Sequence, residues 1–368
     1  MMSRADFEEL VKTGYRFAGQ ALHGLDLRGA RAAGAMLAGA ELIDVDLSGA
    51  LLDGASLKGA RVLGGSLRGA SLDGADLSEA GLIGPDLREA KLRGASMQKT
   101  RMALAVLSGA DLRGARIEDA LLPQVKLDGA HLEQATLRNV ALNEANLRGA
   151  RFDGATLEKV LLDSADATSA GFQGASLTEV TFVGAALVRA DFGGGSFDRV
   201  TFHKADLRGA KLPKKMHRVM LAGADLADPD LTGAELDRAE LEGLDLRDVD
   251  LSGASLSHSV LSGANLRGAN LRDANLDHAV LLEVDLRDAN LAGANLSGCI
   301  LTGANLEGAD LSAKELRGAV FVRANQQHEQ RPRRGARAEH HQRLLHAGLP
   351  RPGFPHPGFP HPRRSCPA

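Results

Sequence analysis

Apolar side chains return at every fifth position of this chain, from Leu22 to Leu212 and again from Leu221 to Phe321. The two runs hold 39 and 21 such centres, nearly all Leu or Phe, and only Ala32 and Ala167 among them are as small as alanine. The residue two before the centre is alanine at 40 of the 60 positions. The residue between is usually Asp, Asn, Ser, Glu or Arg, and the two after the centre are polar or Gly, as in Ala110-Asp111-Leu112-Arg113-Gly114. A period of five fits neither the 3.6 of a helix nor the 2 of a flat strand. It fits a coil whose sides are each one unit long. Alanine and centre then lie one strand period apart and face inward, the residue between faces out, and the last two turn the corner, where Gly tolerates positive φ. Alternating small and large inward residues suits a narrow tube, which two Leu-sized side chains per side would overfill.

The departures from this pattern give the number of sides. Val140, Val160, Val180 and Val200 replace the inward alanine at intervals of 20, as do Leu25, Val45, Gly65 and Pro85, with Val125 in the same phase. Phe152, Phe172 and Phe192 share that spacing, and so do Phe182 and Phe202. A repeat of 20 built on units of five means four sides per coil. Residues 20 apart stack about 4.8 Å apart, so the first run makes nearly ten coils, roughly 47 Å long, and the second about five. These valines and phenylalanines are the predicted structural core. The motif Ala-(Asp/Asn)-Leu-X-X, sustained over about residues 20 to 325, resembles that of the pentapeptide-repeat family. The resemblance implies an all-β fold, a right-handed four-sided β-helix; the handedness comes from the resemblance alone.

Five segments follow. Residues 1–19 form an N-terminal helical cap, in which Ser3 to Thr13 reads as helix: Ser3 and Asp6 make a variant capping box, Phe7, Leu10 and Val11 share a face, and Gly14 suits the stop. Residues 20–212 form the first stack and 221–325 the second. Between them, 213–220, the step from centre to centre is nine residues where the register requires ten. This break reads as a bulge or short loop. Its basic residues Lys214, Lys215, His217 and Arg218 are a candidate interaction loop, and Met216 and Val219 are placed to plug the tube. Lys314 on an inward position points to a frayed last coil. Residues 326–368 read as a disordered tail rich in Arg, His and Pro.

Composition narrows the function. Aromatic residues are 3% and Trp is absent, so Leu and Ala must fill the interior. From Arg323 onward nine Arg face two acidic residues, a charge of +7, which leaves −10 on the remainder. Two cysteines, Cys299 and Cys366, give no disulfide framework, and Cys299 falls on an inward position. The sequence has no apolar stretch long enough for a membrane span and no signal-peptide centre in its first 20 residues, so a cytoplasmic location is expected. Phosphate loop, nucleophile elbow and zincin helix are all missing; neither catalytic residues, cofactor nor metal is expected. His258 and His278, 20 apart, stack on one outward face and read as incidental.

The function read from this is a non-enzymatic scaffold that displays columns of side chains to an unidentified protein partner, with homodimerisation through a coil end as a further possibility. Direct nucleic-acid binding by the body is not expected. The family resemblance supplies two alternatives: a DNA mimic that binds DNA gyrase and modulates topoisomerase activity or quinolone sensitivity, and a secretion-associated protein. Against the first, the recurring Asp-Leu-Arg triplet places opposite charges side by side, as at Asp26/Arg28 and Asp86/Arg88.

Overall fold

The structure, a computed structural model, describes residues 2–227 and 229–325. The predicted tail, 326–368, lies outside the described residues, as does Cys366. Residues 20 apart pair in parallel throughout the first run, and four ladders make four walls. Each wall is identified here by the outward middle residues of its units. Wall 1 begins Arg16, Met36, Ser56; wall 2 Ala21, Glu41, Arg61; wall 3 Asp26, Asp46, Ser66; wall 4 Arg31, Leu51, Ser71. Continuous strand appears on two walls. Five parallel strands from Ala21–His23 to Arg101–Ala103 lie on wall 2, and seven from Ser96–Gln98 to Lys215–His217 run along wall 1.

The corners follow from the unit. Its last residue adopts a left-handed φ, +64° at Gly29 and +59° at Leu104, and at most corners the next residue closes the turn on the preceding centre, as Ala30 N–H does on Leu27 C=O at 3.0 Å; the strand corner from Met102 to Ala105 lacks that bond. One left-handed residue in third place is the requirement of a type II turn. Glycine is essential at Gly65, an inward position: its φ is +72° and a Cβ would stand 2.4 Å from the Val45 carbonyl oxygen.

The interior is filled as the columns predict. Val140, Val160, Val180 and Val200 are buried, and Phe152, Phe172 and Phe192 stack at 4.8 and 4.7 Å, beside the Phe182–Phe202 pair at 5.1 Å. Two inward polar groups find carbonyls. Thr100 Oγ1 donates to Leu77 at 2.9 Å and Ser259 Oγ to Leu256 at 2.6 Å. The buried Cys299 thiol lies 2.8 Å from the Leu276 carbonyl oxygen and is pushed up to about 12 by desolvation. The cavity beside Met97, Met102 and Leu107 measures about 10 Å³, room for about one water.

The N-terminal helix, Arg4–Lys12, is closed by the capping box: Asp6 N–H donates to Ser3 Oγ at 3.2 Å and Ser3 N–H to Asp6 Oδ2 at 2.9 Å. Its Phe7 packs on Phe17, with ring centroids 5.1 Å apart. The helix also serves the strand edge beneath it. Glu8 Oε1 accepts the Arg31 N–H at 3.0 Å, and Arg4 Nη1 donates to the Arg28 carbonyl at 3.1 Å. Backbone groups of the first coil are thereby satisfied.

At the register break the residues read as a candidate interaction loop are part of the coil. The chain does not leave the wall: Lys215–His217 is a strand paired with Ser196–Asp198 at a spacing of 19. One residue is removed from the corner between Leu212 and Met216, and Met216 becomes a buried centre, with Val219 buried beside the next. Walls 1 and 2 run through the junction by Lys215↔Glu235 and Thr201↔Met220↔Glu240. On wall 4 the described bridges stop at Asp191↔Lys211 and resume at Asp250↔Asn270. Proline explains part of this. Pro229 is buried where alanine usually sits and has no N–H to close the corner, and Pro213 is buried inside the shortened corner itself.

Candidate interaction walls

Since the interior is packed, any binding chemistry is outside. On wall 3 the middle residue is often Asp, and it does two things. Its carboxylate accepts the N–H two residues on, as Asp86 does from Arg88 at 3.0 Å, and it takes the Arg88 guanidinium through two bonds of 2.9 and 2.6 Å. The same arrangement holds at Asp26/Arg28, Asp206/Arg208, Asp245/Arg247 and Asp285/Arg287. The arginine hydrogen bonds hold these carboxyls below their ordinary range, Asp26 at about 2. Pairing also crosses coils, Arg208 Nε lying 3.5 Å from Asp225 Oδ2. On wall 4, Asp111 is gripped by both Arg93 and Arg113, each at 2.6 Å.

The basic residues of the break are part of the coil surface. Lys214 Nζ pairs with Asp230 at 2.9 Å, and His217 Nε2 lies 3.3 Å from Glu235 Oε2. Arg218 turns a corner at φ +53°, and Lys215 is the exposed middle residue of its wall-1 unit. Acidic neighbours in the next coil thus engage two of the four. Farther along wall 1, His258 and His278 stack with centroids 5.2 Å apart, and Asp277 Oδ2 is 3.0 Å from His278 Nδ1. The ligand atoms of these three residues fall within 4.8 Å of one another. The rings lie face to face, so their lone pairs run side by side where a metal triad needs them to converge.

Wall 2 is different. Near the N-terminal half it exposes Ile83, Leu104, Leu121 and Leu161; near the other end it exposes Leu282, Ile300, Val320 and Val322. These are eight of the eleven large apolar residues exposed in the described chain; Tyr15, Met36 and Leu51 are the others. Glu41 and Arg61 neutralise one another at 2.5 Å. Arg101, Glu240 and Glu242 are exposed and, among the described residues, have no side-chain partner. The sequence reading passed over this wall. Its signal was available in the 20-residue spacing of Val260, Val280, Ile300 and Val320 across the break-free second run.

Comparison with known proteins agrees with the coil. The family described as Pentapeptide repeats matches residues 21–54, 50–84, 86–124, 118–154, 126–163, 145–184, 175–212, 220–257, 245–281, 279–313 and 299–325. No curated protein matches the chain. Among solved structures it is similar to HetL, a pentapeptide repeat protein involved in heterocyst differentiation regulation in the cyanobacterium Nostoc. The identity is 29% over 69% of this chain and 86% of that one, with a TM-score of 0.22. A pentapeptide repeat protein of the Arabidopsis thaliana thylakoid lumen is 35% identical over 26% of this chain and 63% of its own, TM-score 0.22. Full-length QnrB1, a plasmid-mediated fluoroquinolone resistance protein, is 15% identical over 67% of this chain and 91% of its own, TM-score 0.18. No helix among the described residues is long and apolar enough to cross a membrane.

Proposed function

The chain belongs to the pentapeptide-repeat family, and from that premise we propose that it is a non-enzymatic cytoplasmic scaffold for protein–protein interaction that docks its partner on wall 2. The supporting observation is the concentration of exposed aliphatic side chains on that one wall. Exposed apolar patches of this kind, here one toward each end of the wall, mark protein interaction sites. Its burial yields roughly 25 cal/mol per Å². The partner surface that fits is flat and apolar, because the wall is a sheet face.

The gyrase-binding DNA mimic needs carboxylates free to stand in for phosphates. The aspartates of wall 3 already hold arginines, which favours the scaffold. A photocrosslinking residue placed singly at Leu121, at Leu282 and, on wall 3, at Ser48 tests the reading. Adducts are expected from the first two positions. Adducts from Ser48 alone would defeat it.

A further inference from the structure

The unpaired charges of wall 2 say what its occupant must look like. Numbered along the wall, the middle residues run Ala21, Glu41, Arg61, Gly81, Arg101 and onward to Glu240, Val260, Val280, Ile300 and Val320. Arg101 stands on the fifth rung and Glu240 on the twelfth, with Glu242 beside it. Free charges of both signs along one wall, Arg101 and Glu240 in its middle column with Glu242 beside and Lys204, Glu283 and Arg323 at its corners, ask for a partner carrying the middle charges in reverse order. The wall itself, turned end for end, is such a partner.

We propose that wall 2 packs antiparallel against wall 2 of a second copy of this chain, with the two-fold axis between the Leu161 and Thr181 rungs. The inference rests on wall 2 being the docking wall. A two-fold contact is isologous, so each residue meets its counterpart reciprocally. In this register Arg101 of each copy faces Glu240 and Glu242 of the other. Of the neighbouring rungs, Gly81 meets Val260, Leu121 meets Met220 and Leu63 meets Leu282, while Glu41 and Arg61, paired with one another, face Ile300 and Val280. A parallel two-fold would set Arg101 on Arg101 and Glu240 on Glu240, so like-charge repulsion selects the antiparallel form. The area suffices. Sixteen rungs about 4.8 Å apart and a wall about 10 Å wide cover on the order of 700 Å² per copy, close to the roughly 800 Å² per partner of a standard stable interface.

Complementary variants of the full chain give the test. Sedimentation of the wild type should show twice the 38.6 kDa chain mass. Arg101→Glu alone, and Glu240→Arg/Glu242→Arg alone, should each weaken the dimer at least tenfold, because like charges then face one another. Mixed in equal amounts they should form a heterodimer, in which every facing pair is again opposite. A wild type that stays monomeric at 100 μM, or a mixture that stays monomeric, overturns the proposal. If either charge variant loses its β-sheet spectrum, Leu121→Cys mixed with Met220→Cys replaces the pair. A disulfide-linked heterodimer from that mixture supports the register, and its absence under oxidation overturns it. The crosslinks at Leu121 and Leu282 separate this idea from the one beneath it. Adducts only to a different protein sink self-pairing and leave wall 2 as the docking wall; none from either position sinks both.

Discussion

Walls 2 and 3 belong to one coil and enclose one interior, and they differ most in what faces water; wall 2 also carries continuous strand from Ala21–His23 to Arg101–Ala103, where wall 3 is built of single bridges. On wall 3, Asp86, Asp206 and Asp285 each accept an N–H from the corner that follows and hold an arginine there. On wall 2 the corresponding places carry Leu121, Leu161 and Ile300, which can do neither. Wall 2 therefore forgoes local polar bonds that its neighbour makes at many of its units, and the coil forms regardless. The outward middle position is not needed to specify the fold, so what occupies it reports on use.

The largest effect should come from removing the frame both walls share. Phe172→Ala opens the stacked Phe152–Phe172–Phe192 column and should cost about 3–5 kcal/mol in urea unfolding. A loss under about 1 kcal/mol would mean the column is not part of the common frame. Next comes the test of wall 2 itself. In protein dilute enough to be monomeric, Leu282→Lys with Ile300→Lys should leave unfolding free energy within about 0.5 kcal/mol per site, as exposed positions do, while at working concentration the Leu121 photoadduct falls at least tenfold. If stability falls by several kcal/mol instead, the aliphatic wall serves the fold and its contrast with wall 3 disappears.

The fold was legible because inward positions obey two periods at once. The five-residue period named the side, and the 20-residue spacing of Val140, Val160, Val180 and Val200 named the coil. Wall 2 was missed for the same reason read in reverse. Averaged over all units the middle position is polar, and only sorting it by wall separates Val260, Val280, Ile300 and Val320 from the aspartates between them. The break was half legible. A nine-residue step shows that one residue is missing, but the same count fits a protruding loop or a shortened corner. Packing chose the corner, since it buries Met216 and Val219 and keeps two ladders running. The arginine pairs of wall 3 were visible as triplets, whereas the second role of the aspartate, accepting the N–H two residues on, depends on corner geometry that only the folded coil shows.

A smaller expected effect concerns the alternative reading, a gyrase-binding DNA mimic acting through wall 3. Because its carboxylates are engaged, the purified protein should leave gyrase supercoiling unchanged at low micromolar concentration, with or without a quinolone. Inhibition or drug protection would show that paired aspartates can still replace phosphates, and wall 3 would then become the binding wall.

The smallest effect separates the walls by pH. Arginine hydrogen bonds lower Asp86, Asp206, Asp245 and Asp285 below the ordinary carboxyl range, and Asp26 to about 2. A carboxyl lowered by folding stabilises the folded state above its unfolded value, and that contribution is lost as pH falls through the folded value. Unfolding free energy should therefore lose the contribution of these pairs progressively below about pH 4 and down to about pH 2. The loss per pair should be modest, because these side chains are largely solvated and exposed pairs contribute little. Asp86→Asn/Asp206→Asn/Asp285→Asn should be slightly less stable at neutral pH and decline less on acidification. Raising salt to 1 M should shrink the difference between the two proteins, since screening acts on exposed charges. Leu282→Lys on wall 2, by contrast, should leave the acid limb unmoved. If the triple variant declines as steeply as the wild type, the pairs hold side chains in place without stabilising the coil, and wall 3 contributes no more to the fold than wall 2 does.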